Sequence, residues 1–206
     1  MKNPFLIGKR IYLRPLEMSD LERCLRWIND PEVTRTLAMH RPWSELRERE
    51  WLERLYRDER DIPLAIVLKE DDRHIGNVGL HQLNWKDRHA MLGIMIGEKD
   101  EWGKGYGTEA VELMLRYGFE RLNLHRIYLY VHEHNPRAIR CYEKAGFRHE
   151  GTLREAYFLE GRYYDTLVMG ILRQEWEALR SAGDRPPPAE GETENETEGE
   201  RRGKLV

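Results

Sequence analysis

The sequence predicts one α/β domain: a mixed, mostly antiparallel twisted sheet of about seven strands, flanked by about four helices. Three observations carry this. The β-rich runs in the middle of the chain are joined by turns too short for crossovers, which makes a meander. A glycine-rich segment then opens a helix that leads to another strand, adding a strand-loop-helix-strand unit. A chain of 206 residues with 40% apolar side chains suits one core.

Residues 10–14 alternate in side-chain character and stop at Pro15, as a first strand does. Ser19 and Asp20 precede Leu21, Cys24, Leu25 and Ile28 at helical spacing, with Glu22 in the first turn, so a helix runs to about Asn29. Ser44 caps a second helix through Trp51, Leu52 and Leu55, whose other face is dense in Glu and Arg. Strands follow at residues 62–68, 74–80 and about 89–96, separated by Asp71-Asp72-Arg73 and by residues 84–88. Val111, Met114, Leu115 and Phe119, three or four apart, mark the helix after the glycines. Next come a strand at 126–131, a helix from about Pro136 to Lys144 ended by Gly146, and strands at about 147–159 and 163–172 joined by Glu160-Gly161-Arg162. Residues 1–182 make up this domain, and no internal repeat is present.

The net charge of −3 is unevenly spread. Residues 184–206 hold seven acids and four bases, and taking these from the totals of 37 and 34 leaves thirty of each sign before Asp184. With three consecutive prolines and only Ala189, Leu205 and Val206 apolar, residues 183–206 are expected to form a disordered acidic tail. A balanced core lacks the basic excess of a nucleic-acid protein. No stretch approaches the roughly 18 apolar residues of a membrane span, and the opening lacks the apolar run of a secretory signal. A cytoplasmic protein with neither nucleic-acid nor membrane partners is therefore expected. Cys24 and Cys141 have no CxxC spacing, so neither a disulfide framework nor a zinc site is indicated. His132-x-His134 puts two imidazoles on one strand face, but without a clear third ligand no metal is expected.

The glycine segment Gly103-Lys104-Gly105-Tyr106-Gly107 carries the chemistry. Backbone N–H groups at a helix N-terminus have no partners within the helix, the macrodipole favours an anion there, and glycines let a pyrophosphate approach. A P-loop would need Ser or Thr after Lys104, where Gly105 stands. The dinucleotide fingerprint would need G-x-G-x-x-G rather than G-x-G-x-G, with an acid about 20 residues on, whereas Glu133 lies 26 beyond Gly107. The preceding meander also conflicts with a doubly wound parallel sheet.

Residues 102–110, Trp-Gly-Lys-Gly-Tyr-Gly-Thr-Glu-Ala, resemble the acetyl-CoA pyrophosphate loop of the GNAT superfamily of N-acetyltransferases, with pattern Gln/Arg-x-x-Gly-x-Gly/Ala. Residues 135–147, Asn-Pro-Arg-Ala-Ile-Arg-Cys-Tyr-Glu-Lys-Ala-Gly-Phe, resemble its later motif, Asn, then Tyr seven positions on, then Gly-Phe. The similarity covers about residues 8 to 176. Trp27 to Val33 resembles the branch with ribosomal-protein N-terminal acetyltransferases, and residues 151–165 are similar to spermidine acetyltransferases. Trp102 departs from the motif's Gln or Arg, which removes a side-chain donor but spares the backbone amides.

The resemblance implies an acetyl-CoA cleft with no metal, serving a primary amine: a protein N-terminus, a polyamine or another small amine. Gly103, Lys104, Gly105, Tyr106, Gly107 and Thr108 would hold the pyrophosphate, with Asn135 and Arg140 also on the cofactor. Lys104, Arg137 and Arg140 would form a cationic rim. The backbone at Ile94, Met95 and Ile96 would meet the pantetheine arm where strand 89–96 splays from strand 126–131. Tyr142 would protonate the departing thiolate, holding its proton at neutral pH. Where relatives place a Glu base, the register here offers Met91, Leu92 and Gly93, so the base stays open among His81, Glu133, Asp165 and a water chain. Trp27, Trp43, Trp51, Trp85, Tyr157 and Phe158 supply apolar surface near the acceptor. A non-catalytic acyl-CoA-binding module, a nicotinamide-dependent oxidoreductase and a homodimer also remain open at this point.

Overall fold

The apolar and alternating runs pair into one eight-stranded sheet in the computed structural model, which describes residues 1–37, 41–55, 57 and 59–183. Of the tail expected at residues 183–206, Gly183 ends the last helix and residues 184–206 lie outside the described residues. The strands are Leu6–Ile7 (β1), Ile11–Pro15 (β2), Ile62–Leu68 (β3), His74–Asn84 (β4), His89–Ile96 (β5), Arg126–His132 (β6), Arg148–Leu159 (β7) and Arg162–Leu172 (β8). Their spatial order is β1-β2-β3-β4-β5-β6-β8-β7. Every neighbouring pair is antiparallel except β5 and β6. Among the described residues the helices are Leu21–Ile28 (α1), Pro31–Thr34 (α2), Glu45–Leu55 (α3), Tyr106–Arg116 (α4), Pro136–Lys144 (α5) and Arg173–Gly183 (α6). None is long and apolar enough to cross a membrane.

Both faces of the sheet are covered, which explains why β3 reads as a continuous apolar run. Ile11, Leu13, Leu64, Ile66 and Leu68 point into the larger core, shared with Val111, Met114 and Leu115 of α4, Phe147 and Trp176. Their neighbours Tyr12, Ala65 and Val67 point the other way, into a smaller core with Leu21, Cys24 and Trp27 of α1 and Leu52 of α3. Gly97 is required here, since a Cβ would run into the Trp27 indole.

The eighth strand and two extra helices were not anticipated. β1 is only two residues long, too short to show a period, and is held by Leu6–Leu13 and Ile7–Tyr12 pairing. α2 is a single turn started by Pro31, with the Asp30 carboxylate accepting from the Glu32 N–H at 2.9 Å. α6 follows β8 without a loop. Its start is fixed by the Glu175 carboxylate, which accepts from the Leu172 N–H at 2.9 Å, and it is anchored by Trp176 packed 5.3 Å from Phe119. β4 runs on past Leu80 to Asn84 through a register shift, with Gln82 at φ +52°.

A buried polar chain ties the α1 layer to the sheet. Arg14 grips Asp20 through two hydrogen bonds of 2.7 and 2.8 Å, and His74 Nδ1 lies 3.2 Å from Asp20. His74 Nε2 meets Asn77 Oδ1 at 2.8 Å, and Asn77 donates to Cys24 Sγ at 3.5 Å. Burial pushes the Asp20 carboxyl upward, but Arg14 and His74 outweigh it and hold it below the usual carboxylate range. Burial also raises the Cys24 thiol to about 12, so it stays protonated.

Glu48 on α3 is different: it is 3% exposed, and burial alone lifts its carboxyl from 4.5 to about 7. The folded chain keeps this proton up to about pH 7 while the unfolded chain releases it near 4.5, so the residue costs stability as pH rises through that window, up to about 3 kcal/mol. Glu48→Gln is expected to raise the melting temperature more at pH 8 than at pH 5 in calorimetric scans. A difference independent of pH would contradict this assignment.

Candidate active site

The parallel pair near the centre of the sheet is where two neighbouring strands part. β5 and β6 pair at His89–Arg126, Ala90–Ile127 and Met91–Tyr128 and no further, although β5 runs on to Ile96 and β6 to His132. Beyond Met91, β5 keeps its ladder with β4 on one side only. Its other backbone edge faces a cleft of about 520 Å³. Backbone polar groups on such an edge need partners. Trp102 supplies one: its indole N–H donates to the Ile96 carbonyl at 2.7 Å. The same ring walls the cleft, and the Arg137 guanidinium sits 4.1 Å from its centroid.

The glycine segment closes one side of the cleft. Gly103 and Gly105 have φ of +77° and +86°, the left-handed region that favours glycine. Gly105 stands at the N-cap of α4 with no side-chain cap bond, which leaves the first-turn N–H groups free to meet an anion. Arg10 braces this loop from the distant β1–β2 turn. It donates to the Lys104 carbonyl at 2.8 Å and to Glu109 at 3.2 Å, and lies 4.6 Å over the Tyr106 ring. Glu109 in turn accepts from the Arg10 N–H at 2.8 Å.

The structure brings nearly all the sequence-derived site residues to this cleft: Ile94, Met95, Ile96, Gly103, Gly105, Tyr106, Gly107, Thr108, Asn135, Arg140 and Tyr142 line it. Lys104 does not. Its ammonium turns to Glu101 at 2.9 Å, a carboxylate also paired with Arg73. The cationic wall is formed instead by Arg137, Arg140 and Lys144. Asn135 caps α5, accepting from the Ala138 N–H at 3.1 Å, and lines the cleft as well. Tyr142 is 6% exposed and packs edge-on to Phe147 at 5.9 Å. Burial raises its phenol well above 10, so at neutral pH it stays protonated and has a proton to donate.

The candidate bases separate. Asp165 donates its N–H to Glu133 Oε1 at 2.9 Å, and Glu155 donates its N–H to Asp165 Oδ1 at 2.8 Å, so both carboxylates tie down backbone outside the cleft lining. His81 lies 3.4 Å from Asp61, with its ring over Gly79 and Gly93. His132, considered from the sequence only as a metal ligand, lines the cleft. The signal was its period-two spacing with Tyr128 and Tyr130 on β6. Val33, Thr36, Leu37, Met91, Gly93 and Tyr130 complete this end. Of the six aromatics expected near an acceptor, Tyr157 stacks on His132, Trp27 is buried, and Trp85 and Phe158 are exposed.

Residues 10–148 match the family model of the acetyltransferase (GNAT) domain. The uncharacterised N-acetyltransferase p20 of Bacillus licheniformis is 30% identical, over 83% of this chain and 97% of its own length. The spermidine N(1)-acetyltransferase of Vibrio cholerae is 32% identical, over 82% of this chain and 97% of its own. A solved structure of a spermidine N-acetyltransferase from Vibrio cholerae, in complex with CoA and spermine, is similar with a TM-score of 0.76 and 31% identity, covering 82% of this chain and 98% of that one.

Gly105→Ala places a Cβ at a left-handed position, a strain of about 1–2 kcal/mol that the loop relieves by moving its amides. Titration calorimetry is expected to show CoA binding weakened by roughly five- to thirtyfold, with the fold retained. Unchanged affinity would mean that these amides do not hold the ligand.

Proposed function

The chain belongs to the GNAT family of acetyl-CoA-dependent N-acetyltransferases, and on that premise we propose how its cleft divides the work, with residues 1–182 as the catalytic unit. The observation that carries the reading is the free backbone edge of β5 lying beside a helix opened by left-handed glycines. Acetyl-CoA supplies the activated acetyl group. The α4 N-terminus would hold its pyrophosphate, with Arg137, Arg140 and Lys144 offsetting the remaining phosphate charge. The free N–H groups of residues 92–96 would polarise the thioester carbonyl and hold the oxyanion that forms when the amine attacks. Tyr142 would share its proton with the departing thiolate, and its burial keeps that proton in place until then.

Acceptor chemistry follows from the opposite end of the cleft. Its described lining, from Val33, Thr36, Leu37, Met91, Gly93, Tyr130 and His132, is apolar, aromatic and without a carboxylate. Such a surface suits an amine with uncharged surroundings, as at a polypeptide N-terminus. A polyamine is the second reading, supported by the likeness to spermidine acetyltransferases. An assay of free-CoA release across N-terminal peptides, spermidine and monoamines decides between them. The expected order is a higher kcat/KM for peptide amines than for spermidine, and the reverse order would establish the polyamine reading.

Tyr142→Phe tests the acid. The expected result is a fall of about 10²-fold or more in kcat with little change in CoA affinity. Unchanged turnover would remove Tyr142 from the mechanism.

A further inference from the structure

An amine acceptor must lose a proton, and the carboxylates near the cleft are engaged elsewhere. Glu101, which lines it, is paired with Arg73 and Lys104, while Glu133 and Asp165 accept from backbone amides. Among the described residues, the imidazole that lines the cleft is that of His132. We propose that His132 is the general base, its Nε2 taking the proton of the amine that attacks the thioester. The proposal rests on the acetyl-transfer reading above.

Position supports the role. His132 ends β6 beyond the last β5–β6 pair, on the same strand face as Tyr128 and Tyr130, in the wall of the uncharged end of the cleft. Its ring is fixed on several sides. Nδ1 lies 3.0 Å from Thr166 Oγ1 on β8, Tyr157 from β7 stacks on the ring at 3.8 Å, and His134 lies parallel at 5.6 Å. Tyr157 is itself anchored, its hydroxyl reaching the Arg35 and Leu37 carbonyls at 3.2 and 3.1 Å. This ties the imidazole to the same segment that supplies Thr36 and Leu37 to the cleft. The proposal assigns the tautomer in which Nδ1–H donates to Thr166 Oγ1, which leaves the lone pair on Nε2.

The surroundings keep that lone pair available. The titratable neighbours are His134 beside it and Tyr157 above it, with Tyr164 of β8 facing His134 at 4.7 Å. From the α2 side Arg35 presents its carbonyl, while its guanidinium turns to Glu160 at 2.9 Å. Burial first, and His134 second, hold the His132 imidazole below the usual histidine range, so it is neutral at physiological pH.

The step balances as follows. The amine lone pair forms the N–C bond while the carbonyl π pair moves to oxygen. The oxyanion then collapses, the C–S bond breaks, and the sulfur leaves with its electron pair and takes a proton from Tyr142. The extra proton on the nitrogen, made cationic by the attack, passes to His132 Nε2, and the amide keeps its remaining N–H. The imidazolium and the phenolate are both restored through solvent.

The test compares wild type, His132→Ala, His132→Gln and Thr166→Val in kcat, KM, CoA affinity and pH profile. For His132→Ala, kcat at pH 7 is expected to fall about 10²- to 10⁴-fold with CoA affinity and melting temperature retained. Its residual rate should climb with pH where the wild-type rate is flat, and added imidazole should restore part of it. His132→Gln should be equally impaired, since it fills the space without a base. Thr166→Val should lower kcat less than His132→Ala does and move the acid limb of the profile, since it loosens the imidazole without removing it. A His132→Ala enzyme with wild-type kcat and pH profile, or one whose loss tracks lost CoA binding, overturns the proposal. A wild-type protein that binds CoA and acetylates none of the acceptors overturns the transfer reading, and the proposal with it. Turnover in Tyr142→Phe but not in His132→Ala would leave the base standing while removing the acid.

Discussion

The parting of β5 from β6 after Met91 and Tyr128 is the constraint on which the rest of the molecule depends. A sheet that opens at its centre exposes backbone N–H and C=O groups that pairing would otherwise satisfy, and such groups are costly to bury unpartnered. The fold therefore meets the gap with polar or ligand-accepting chemistry. Trp102 donates to Ile96, α4 points its uncapped N-terminus at it, and α5 brings Asn135 and Tyr142 to its wall. Strands on both flanks stay rigidly paired, β2 to β5 on one side and β6, β8 and β7 on the other. The cleft is thus held open by the sheet itself.

Two cores make that opening durable. The larger one packs α4, α5 and α6 on one face, the smaller one packs α1 and α3 on the other, and the Arg14–Asp20–His74–Asn77–Cys24 chain joins the smaller layer to β4. Arg10 and Glu109 perform the same service for the glycine loop, linking it to the first strands of the sheet. The end lined by Tyr130 and His132 has a wall of stacked rings rather than charges. That difference between the two ends suits the proposed division, with a polyanion on one side and a reacting amine on the other.

Much of this was legible in the sequence because it is written locally. Glycine spacing, the Asn-Pro start of α5 and the Tyr142 position are all short-range signals, and the strands at 62–68 and 89–96 and the helix at 136–144 fall where periodicity places them. What escaped depends on distance or brevity. β1 is two residues and α2 four, while α6 is a polar helix whose buried aromatic, Trp176, finds Phe119 across the fold. Lys104 stands among residues that line the cleft, yet its own side chain turns to the nearby Glu101. His132 was hidden for the opposite reason: its spacing from His134 suggested a metal pair, and only the splay of the strands shows that it faces the cleft.

Amide hydrogen exchange with and without CoA tests the central claim most directly, since it reads the backbone groups that the splay leaves unpaired. Protection is expected to appear at those amides among residues 92–96 of β5 that do not pair with β4 and at residues 103–108 of the glycine loop, and nowhere else to a comparable degree. Protection concentrated elsewhere, for instance at Thr152 to Glu155 on β7, with residues 92–96 unchanged, would contradict the account.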